Sequence, residues 1–430
     1  MSVDVILGLQ WGDEGKGKIV DLLAKEYDIV ARFQGGPNAG HTIHYDQKKY
    51  VLHTIPSGIS SPETLNIIGN GVLIDPYIFR KEAEMLRNEN IDISSNLYIS
   101  RRAHLITPSH RLLDAALEQA RGVDKIGSTL KGIGPAYTDK VARNGLRVGD
   151  IESDQFSNKK EHLQEQHLRI IRSLGINPDM LTIENLSYYE YLKRWNDSIE
   201  TLRMFRFVDS EIILNTAISN NKRILAEGAQ GTMLDIDFGS YPFVTSSSTT
   251  TGGVCTGLGI PPSAISKVYG IFKAYCTRVG SGPFPTELFN EEGECLRKAG
   301  NEFGSTTGRP RRCGWIDLPA LKYSIMINGV TDLVITKADV LSCFDNIKVC
   351  THYNIQGKQI EILPFDLLQH AIEPTLKTFP GWNEDISEMR NIDELPSSFA
   401  NYISYLEQNL NNPISVISTG PHRNQTIFRT

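Results

Sequence analysis

The chain has 430 residues, 40% of them hydrophobic and 22% charged, with a formal net charge of −6. That length buries a substantial core, the composition excludes a disordered or fibrous protein, and the acidic balance argues against a nucleic-acid partner. Six cysteines, at 255, 276, 295, 313, 343 and 350, form no CxxC pair, so a metal cluster or disulfide framework is not expected and reduced thiols are. Met1 leads straight into a first strand, and no apolar stretch is long enough to span a bilayer. The expectation is a soluble, cytoplasmic enzyme with no membrane partner.

The first predicted element is a strand over Val3–Leu9, opening into Gln10-Trp11-Gly12-Asp13-Glu14-Gly15-Lys16-Gly17-Lys18 and then a helix with Ile19, Leu22 and Leu23 on one face. Strand, glycine-rich turn and helix N-terminus together hold phosphate through backbone N–H groups and the helix dipole. Gly12, four residues, Gly17 and Lys18 fit the P-loop spacing, which places Lys18 to reach the terminal phosphates. The hydroxyl that would touch Mg²⁺ is missing, because Ile19 stands there, and an acid, Asp13, lies inside the loop. A carboxylate beside phosphate calls for a metal, a proton to abstract, or both.

Further β-branched runs predict strands at Ile29–Phe33, Tyr50–His53, Asn66–Ile68, Leu97–Ile99, Arg223–Ala226, Val268–Phe272, Leu333–Thr336, Ile347–Tyr353 and Ile414–Ile417. Helical periodicity falls between them, around 76–88, 108–120, 160–174, 209–220 and 317–328. This alternation predicts an α/β fold, with a P-loop-like, largely parallel central sheet flanked by helices and interrupted by helical and hairpin excursions. Asp46-Gln47 marks one hairpin, and the charged, glycine-poor stretch 151–205 reads as a helical subdomain within a single domain over 1–430. The run Ser246–Gly253 reads as a ligand-covering loop beside Gly228-Ala229-Gln230-Gly231.

Several polar motifs follow predicted strands, where open α/β sheets place their sites. Gln34-Gly35-Gly36-Pro37-Asn38-Ala39-Gly40-His41-Thr42 would bring His41 toward the phosphate held by the first loop, as a donor to a departing phosphate. Thr336-Lys337-Ala338-Asp339 is the [NT]-K-x-D pattern that reads guanine: its carboxylate accepts from the ring N1–H and the exocyclic amine, a pair adenine lacks. Ser418-Thr419-Gly420-Pro421 could close over the same base. Gly304-Ser305-Thr306-Thr307-Gly308-Arg309-Pro310-Arg311-Arg312 offers bidentate forks to a dicarboxylate or phosphate. Gly127-Ser128-Thr129, running into Gly132-Ile133-Gly134-Pro135-Ala136-Tyr137 with Lys140 and Arg143 beyond, offers another phosphate site. More anion sites than one nucleotide needs suggest a GTP-driven ligation.

The strings QWGDEGKGK, GGPNAGHT, GIGPAY, EGAQG, STTGRPRR, TKADVL and ISTGP, in that order, resemble the adenylosuccinate synthetase family over nearly the whole chain, least over 151–222. The resemblance implies GTP-dependent joining of IMP and L-aspartate through a 6-phosphoryl-IMP intermediate, the first committed step from IMP toward AMP. It implies Asp13, His41 and Gln230 as catalytic residues and Mg²⁺, one per subunit, on Asp13 and the Gly40 carbonyl. GTP would be held by Gly12 through Lys18, by Gly40, His41, Thr42 and Arg311, and around its base by Lys337, Ala338, Asp339, Ser418, Thr419 and Gly420. IMP would meet Asp13, Lys16, Asn38, Ala39, Gly40, His41, Thr129, Gln230, Thr245 and Arg309, with Arg143 reaching the neighbouring site of a homodimer. Ser305 through Arg311 would take the aspartate. Leu130 departs from the family, which has glycine or lysine there, and Pro310 interrupts an otherwise all-arginine run. The competing reading is a P-loop GTPase with a regulatory binding role, in which Asp13 and the arginine turn would have no work.

Overall fold

The computed structural model describes residues 3–45, 48–304 and 308–429. The predicted hairpin tip Asp46-Gln47 and the expected aspartate-loop residues Ser305, Thr306 and Thr307 lie outside the described residues. The body is a ten-stranded sheet. Its strands in chain order are β1 (Val3–Gly8), β2 (Ile29–Arg32), β3 (Leu65–Ile68), β4 (Leu97–Ser100) and β5 (Arg206–Val208). They continue as β6 (Ile224–Glu227), β7 (Ile265–Lys273), β8 (Asp332–Thr336), β9 (Ile414–Ser418) and β10 (Thr426–Phe428). Across the sheet the order is 5-4-3-2-6-1-7-8-9-10. Every pair is parallel except β9 with β10, which is antiparallel.

The central strands are fully buried, Ile224–Glu227 and Ile29–Arg32 at every position. That is why they read as continuous apolar runs rather than alternating ones. The expected strands match within a few residues. The excursions include a hairpin of His41–Tyr45 with Lys48–Leu52 and a four-stranded sheet around Asn346–Ile355.

The helices that bear on the site are α1 (Lys16–Leu23), α2 (Pro76–Asn88), α3 (Pro108–Ala120), α4 (Ile133–Ala142), α5 (Phe156–Ser173) and α6 (Tyr188–Arg203). Helices α2 and α3 begin on proline, the residue that loses nothing at a first helical position. The stretch 151–205 supplies α5 and α6, which pack on α3 and α2 in a shared core containing Leu86, Leu112, Ile171 and Trp195. The tail of the expected covering loop is helical, Thr251–Leu258. The segment before it is pinned rather than slack, since Asp235 Oδ2 accepts from the Thr249 N–H at 2.6 Å and the Thr250 N–H at 3.3 Å. The six cysteines are free thiols. Among the described residues no helix is long and apolar enough to cross a membrane.

Candidate active site

The sequence motifs converge because the parallel strands β1, β2, β6, β7, β8 and β9 all end on one edge of the sheet. From these ends leave the Gly12 loop, the Gly35 loop, Gly228–Gly231, the Thr336–Asp339 turn and the Ser418–Gly420 turn. Their proximity is explicit in the glycines. A Cβ on Gly35 would stand 3.1 Å from Gln230 Oε1, and one on Gly17 would stand 2.9 Å from the Cβ of His41.

The Gly12 loop turns through left-handed residues at Gly12, Asp13 and Gly15, with φ of 87, 60 and 87°. Helix α1 consequently starts at Lys16, two residues before the lysine that the P-loop spacing selects. At 100° per residue, Lys16 and Lys18 leave opposite faces of that helix. Lys16 faces inward and donates to Glu14 and to the Gln230 carbonyl. Lys18 instead donates to Ser418 Oγ at 2.7 Å, the Gly420 carbonyl at 2.7 Å and the Gln425 carbonyl at 2.9 Å. In this structure the side chain supports the turn expected to cover the base. Burial lowers its pKa to about 7, against the pull of Asp339.

Glu14 is fully buried, and its Oε1 accepts from the N–H groups of Gln10 (3.1 Å) and Gly12 (2.9 Å). Asp13, in contrast, is part-exposed, with Oδ2 2.8 Å from Arg311 Nε. Arg311 also donates from Nη1 to Glu302 Oε2 at 2.7 Å. Glu302 is a buried carboxylate that further accepts from Lys273 Nζ at 2.9 Å and from the Tyr275 hydroxyl. Burial alone would raise Glu302, but Lys273, Lys337 and Arg311 hold it down to about 2.

His41 Nδ1 lies 2.5 Å from Glu227 Oε1, at the end of β6. Glu227 also accepts from Ser57 Oγ at 2.6 Å and from the Ser57 N–H at 2.8 Å. Burial would raise its pKa, yet the hydrogen bond and charge of His41, Arg32 and Ser57 hold it below the usual carboxylate value. An ionised Glu227 fixes the His41 proton on Nδ1 and leaves Nε2 directed elsewhere. Burial lowers the His41 pKa against the opposing pull of Glu227.

Several buried polar atoms on this edge have no hydrogen-bond partner among the described residues. They are Asn38 Oδ1, His41 Nε2, both amide atoms of Gln230, Thr245 Oγ1, Asp339 Oδ1 and Thr419 Oγ1. Buried polar atoms are nearly always paired, so this concentration marks where a polar ligand docks. Asp339 is pushed above the usual carboxylate pKa by burial, with Lys337 and Lys18 opposing. Lys337 takes φ 60° and donates from Nζ to the Gly300 carbonyl at 2.8 Å. Thr129, Arg143, Gly308, Arg309 and Pro310 are exposed, and Ala39 is buried beside the half-buried Gly40. Leu130 takes φ 56°, a conformation that favours glycine.

Sequence reasoning missed Glu227, Ser57, Glu302 and Lys273. Glu227 carries a signal in hindsight, a carboxylate closing an apolar strand directly before Gly228-Ala229-Gln230-Gly231. The other three have none in their neighbourhood of the chain.

A family model described as adenylosuccinate synthetase matches residues 5–427. The chain is 55% identical over 431 residues to the adenylosuccinate synthetase of Christiangramia forsetii, covering all of both. It is 56% identical over 428 residues to that of Porphyromonas gingivalis, covering 100% of this chain and 99% of the relative. Its fold is similar to a solved structure of fully ligated adenylosuccinate synthetase from Plasmodium falciparum, with a TM-score of 0.92, 39% identity and full coverage of both chains. A cyanophage S-2L succinoaminodeoxyadenylate synthetase shares the fold at a TM-score of 0.63 and 19% identity, over 99% of this chain and 95% of that one.

Proposed function

The chain belongs to the adenylosuccinate synthetase family, enzymes that form a carbon–nitrogen bond, and from that premise we propose how its residues divide the work between GTP, IMP and L-aspartate. The oxygen at C6 of IMP leaves poorly when an amine attacks. Phosphorylating that oxygen first turns it into a good leaving group.

Asp13 takes the N1 proton of IMP, so that O6 gains electron density and attacks the γ-phosphorus of GTP, and GDP departs. The amide of Gln230, whose two polar atoms are buried and unpaired, hydrogen-bonds the deprotonated base. The amine of aspartate then attacks C6, the C6–O bond breaks and inorganic phosphate leaves. Arg311 stands between Asp13 and Glu302, and with Arg309 it presents guanidinium to the aspartate carboxylates.

With Nδ1–H donated to Glu227, a neutral His41 has only a lone pair at Nε2. To donate to phosphate it must be the imidazolium. Burial opposes that charge, and an incoming triphosphate supplies the anion that favours it. His41 is thus charged by the substrate whose bond it helps to break.

One oxygen of Asp13 faces Arg311 at 2.8 Å, and the other, with the Gly40 carbonyl, is a hard donor of the type Mg²⁺ takes. When bound there, Mg²⁺ neutralises charge on the phosphates. Lys337, Asp339, Ser418, Thr419 and Gly420 frame guanine, and Asn38, Thr129 and Thr245 hold IMP. Arg143 contacts the phosphate of IMP bound by a second copy, so the working unit is a homodimer.

The unpaired, buried Gln230 amide, beside the Gly35 loop and on a backbone that abuts the acid-bearing Gly12 loop, is the observation that supports this reading over a regulatory GTPase. Ultraviolet absorbance of the purified protein with IMP, L-aspartate, GTP and Mg²⁺, each omitted in turn, tests it. A spectral change that requires all four is expected. Phosphate release from GTP without IMP and without purine change would overturn it.

A further inference from the structure

Away from the site, three helices meet at one carboxylate. Oδ2 of Asp139, on α4, lies 2.8 Å from His110 Nε2 on α3 and 2.8 Å from His167 Nε2 on α5. The two rings lean together with centroids 4.6 Å apart, and both are buried. Two imidazoles and a carboxylate at this spacing have the composition of a divalent-metal site.

The hydrogen bonding excludes that reading. His110 Nδ1 accepts from the backbone N–H of Thr107 at 2.9 Å. A neutral imidazole carries one ring proton, so here it sits on Nε2 and points at Asp139, leaving no lone pair for a metal. Burial lowers the His110 pKa to about 4, which keeps it neutral. His167 is anchored from its other side by Ser109 Oγ, 2.8 Å from Nδ1. The cluster is a closed clamp in which one carboxylate oxygen ties α4 to α3 and α5.

What the clamp holds is the end of α4. The carbonyl of the same Asp139 accepts from the N–H groups of Asn144 (2.9 Å) and Gly145 (3.2 Å), closing the helix terminus. Within that turn Arg143 takes φ 66°, a left-handed conformation that is unfavourable for a non-glycine residue. Such conformations persist where the surroundings over-determine them. The Arg143 side chain is exposed. The other end of α4 is at the site, where a Cβ on Gly36 would stand 3.0 Å from Ile133 Cδ1. At 1.5 Å per residue the ten residues of α4 carry Arg143 roughly 15 Å along the helix from that end.

We infer that the His110–Asp139–His167 clamp is a positioning device for Arg143, aiming its guanidinium out of the subunit at the IMP phosphate of a second copy. The inference rests on the reading of Arg143 given above. None of the three clamp residues touches substrate; they act through Arg143 alone.

The test is a double-mutant cycle on the full-length enzyme, with Asp139→Ala, Arg143→Leu and the pair. Asp139→Ala should raise KM for IMP about tenfold while KM for GTP and for aspartate stay within about twofold. The double variant should be no worse for IMP than Arg143→Leu alone, because both changes remove one contact. Additive effects on KM for IMP would overturn the inference, as would an equal loss with every substrate. If Arg143→Leu leaves KM for IMP unchanged, the reading of Arg143 falls and takes the inference with it. If Arg143→Leu raises it and Asp139→Ala does not, the inference alone falls. Should Asp139→Ala fail to fold, His167→Gln, which leaves one imidazole on Asp139, runs the same cycle.

Discussion

Glu227 Oε1 stands 2.5 Å from Nδ1 of His41, across 186 positions of sequence. In the proposed mechanism the carboxylate selects which imidazole nitrogen is left for the phosphates, and it stabilises the ring once charged. Glu227→Gln keeps the size and one acceptor but not the charge. We expect kcat to fall ~10²-fold, within the range such proton-handling groups contribute, with KM for IMP within a few-fold. The pH–rate profile of the variant should lose activity at lower pH than the parent does on the alkaline side, because its imidazolium is less stabilised. An unchanged profile would show that Glu227 is only a packing group.

Asp13→Asn should leave GTP affinity within a few-fold and abolish turnover, measured by nucleotide titration and by the absorbance assay. The amide preserves the shape of the loop but cannot take the N1 proton of IMP. Full activity in this variant would remove the proposed base.

Asp339 has a buried oxygen without a partner, available to the donors of guanine. In Asp339→Asn the new side-chain amide would oppose one of those donors with its own N–H. An unmet pair of this kind costs ~2 kcal/mol, so the substitution should reduce GTP preference over ATP by roughly 30-fold in kcat/KM. Unchanged selectivity would place base reading elsewhere.

Acid should expose the neutral histidines. Burial, with Lys140 and Arg147, lowers His104 to about 4. Between pH 6.5 and 4 the unfolded chain takes up a proton there that the folded chain does not. Stability from this group is therefore lost as pH falls through that window, by at most ~1.4 kcal/mol per pH unit. Urea titrations at pH 7 and 5 should show a smaller pH dependence in His104→Asn than in the parent. Glu82, raised to about 7 by burial despite three backbone N–H donors, works in the opposite sense, so the comparison between variants isolates His104.

Much of this architecture is legible because buried parallel strands are written as apolar β-branched runs. Ile29–Arg32 and Ile224–Glu227 are buried at every position, and the expected runs match them within a residue. The strand Arg206–Val208 escapes because it is a three-residue edge with no buried position, and Glu373–Pro380 because most of it is exposed. Helix α4 is hidden behind Gly132-Ile133-Gly134-Pro135, which reads locally as a loop. At the site, glycine and hydroxyl motifs announce themselves through spacing. The face that Lys18 takes is not legible, because spacing fixes a position along a helix and not its face, which the left-handed turns at Gly12, Asp13 and Gly15 decide. Glu302 and Lys273 are partners across 29 positions, and no local pattern encodes that meeting.

In ordinary phosphate loops the amides converge on an anion that the ligand brings. Here the amides of Gln10 and Gly12 already grip the Glu14 carboxylate, itself paired with Lys16. Gly8 and Gly231 leave room for that carboxylate, since a Cβ at either would overlap it. The loop thus carries a resident anion of its own, and product release does not vacate it. The peptide groups on either side of Asp13 are therefore held by a charge pair that belongs to the chain itself.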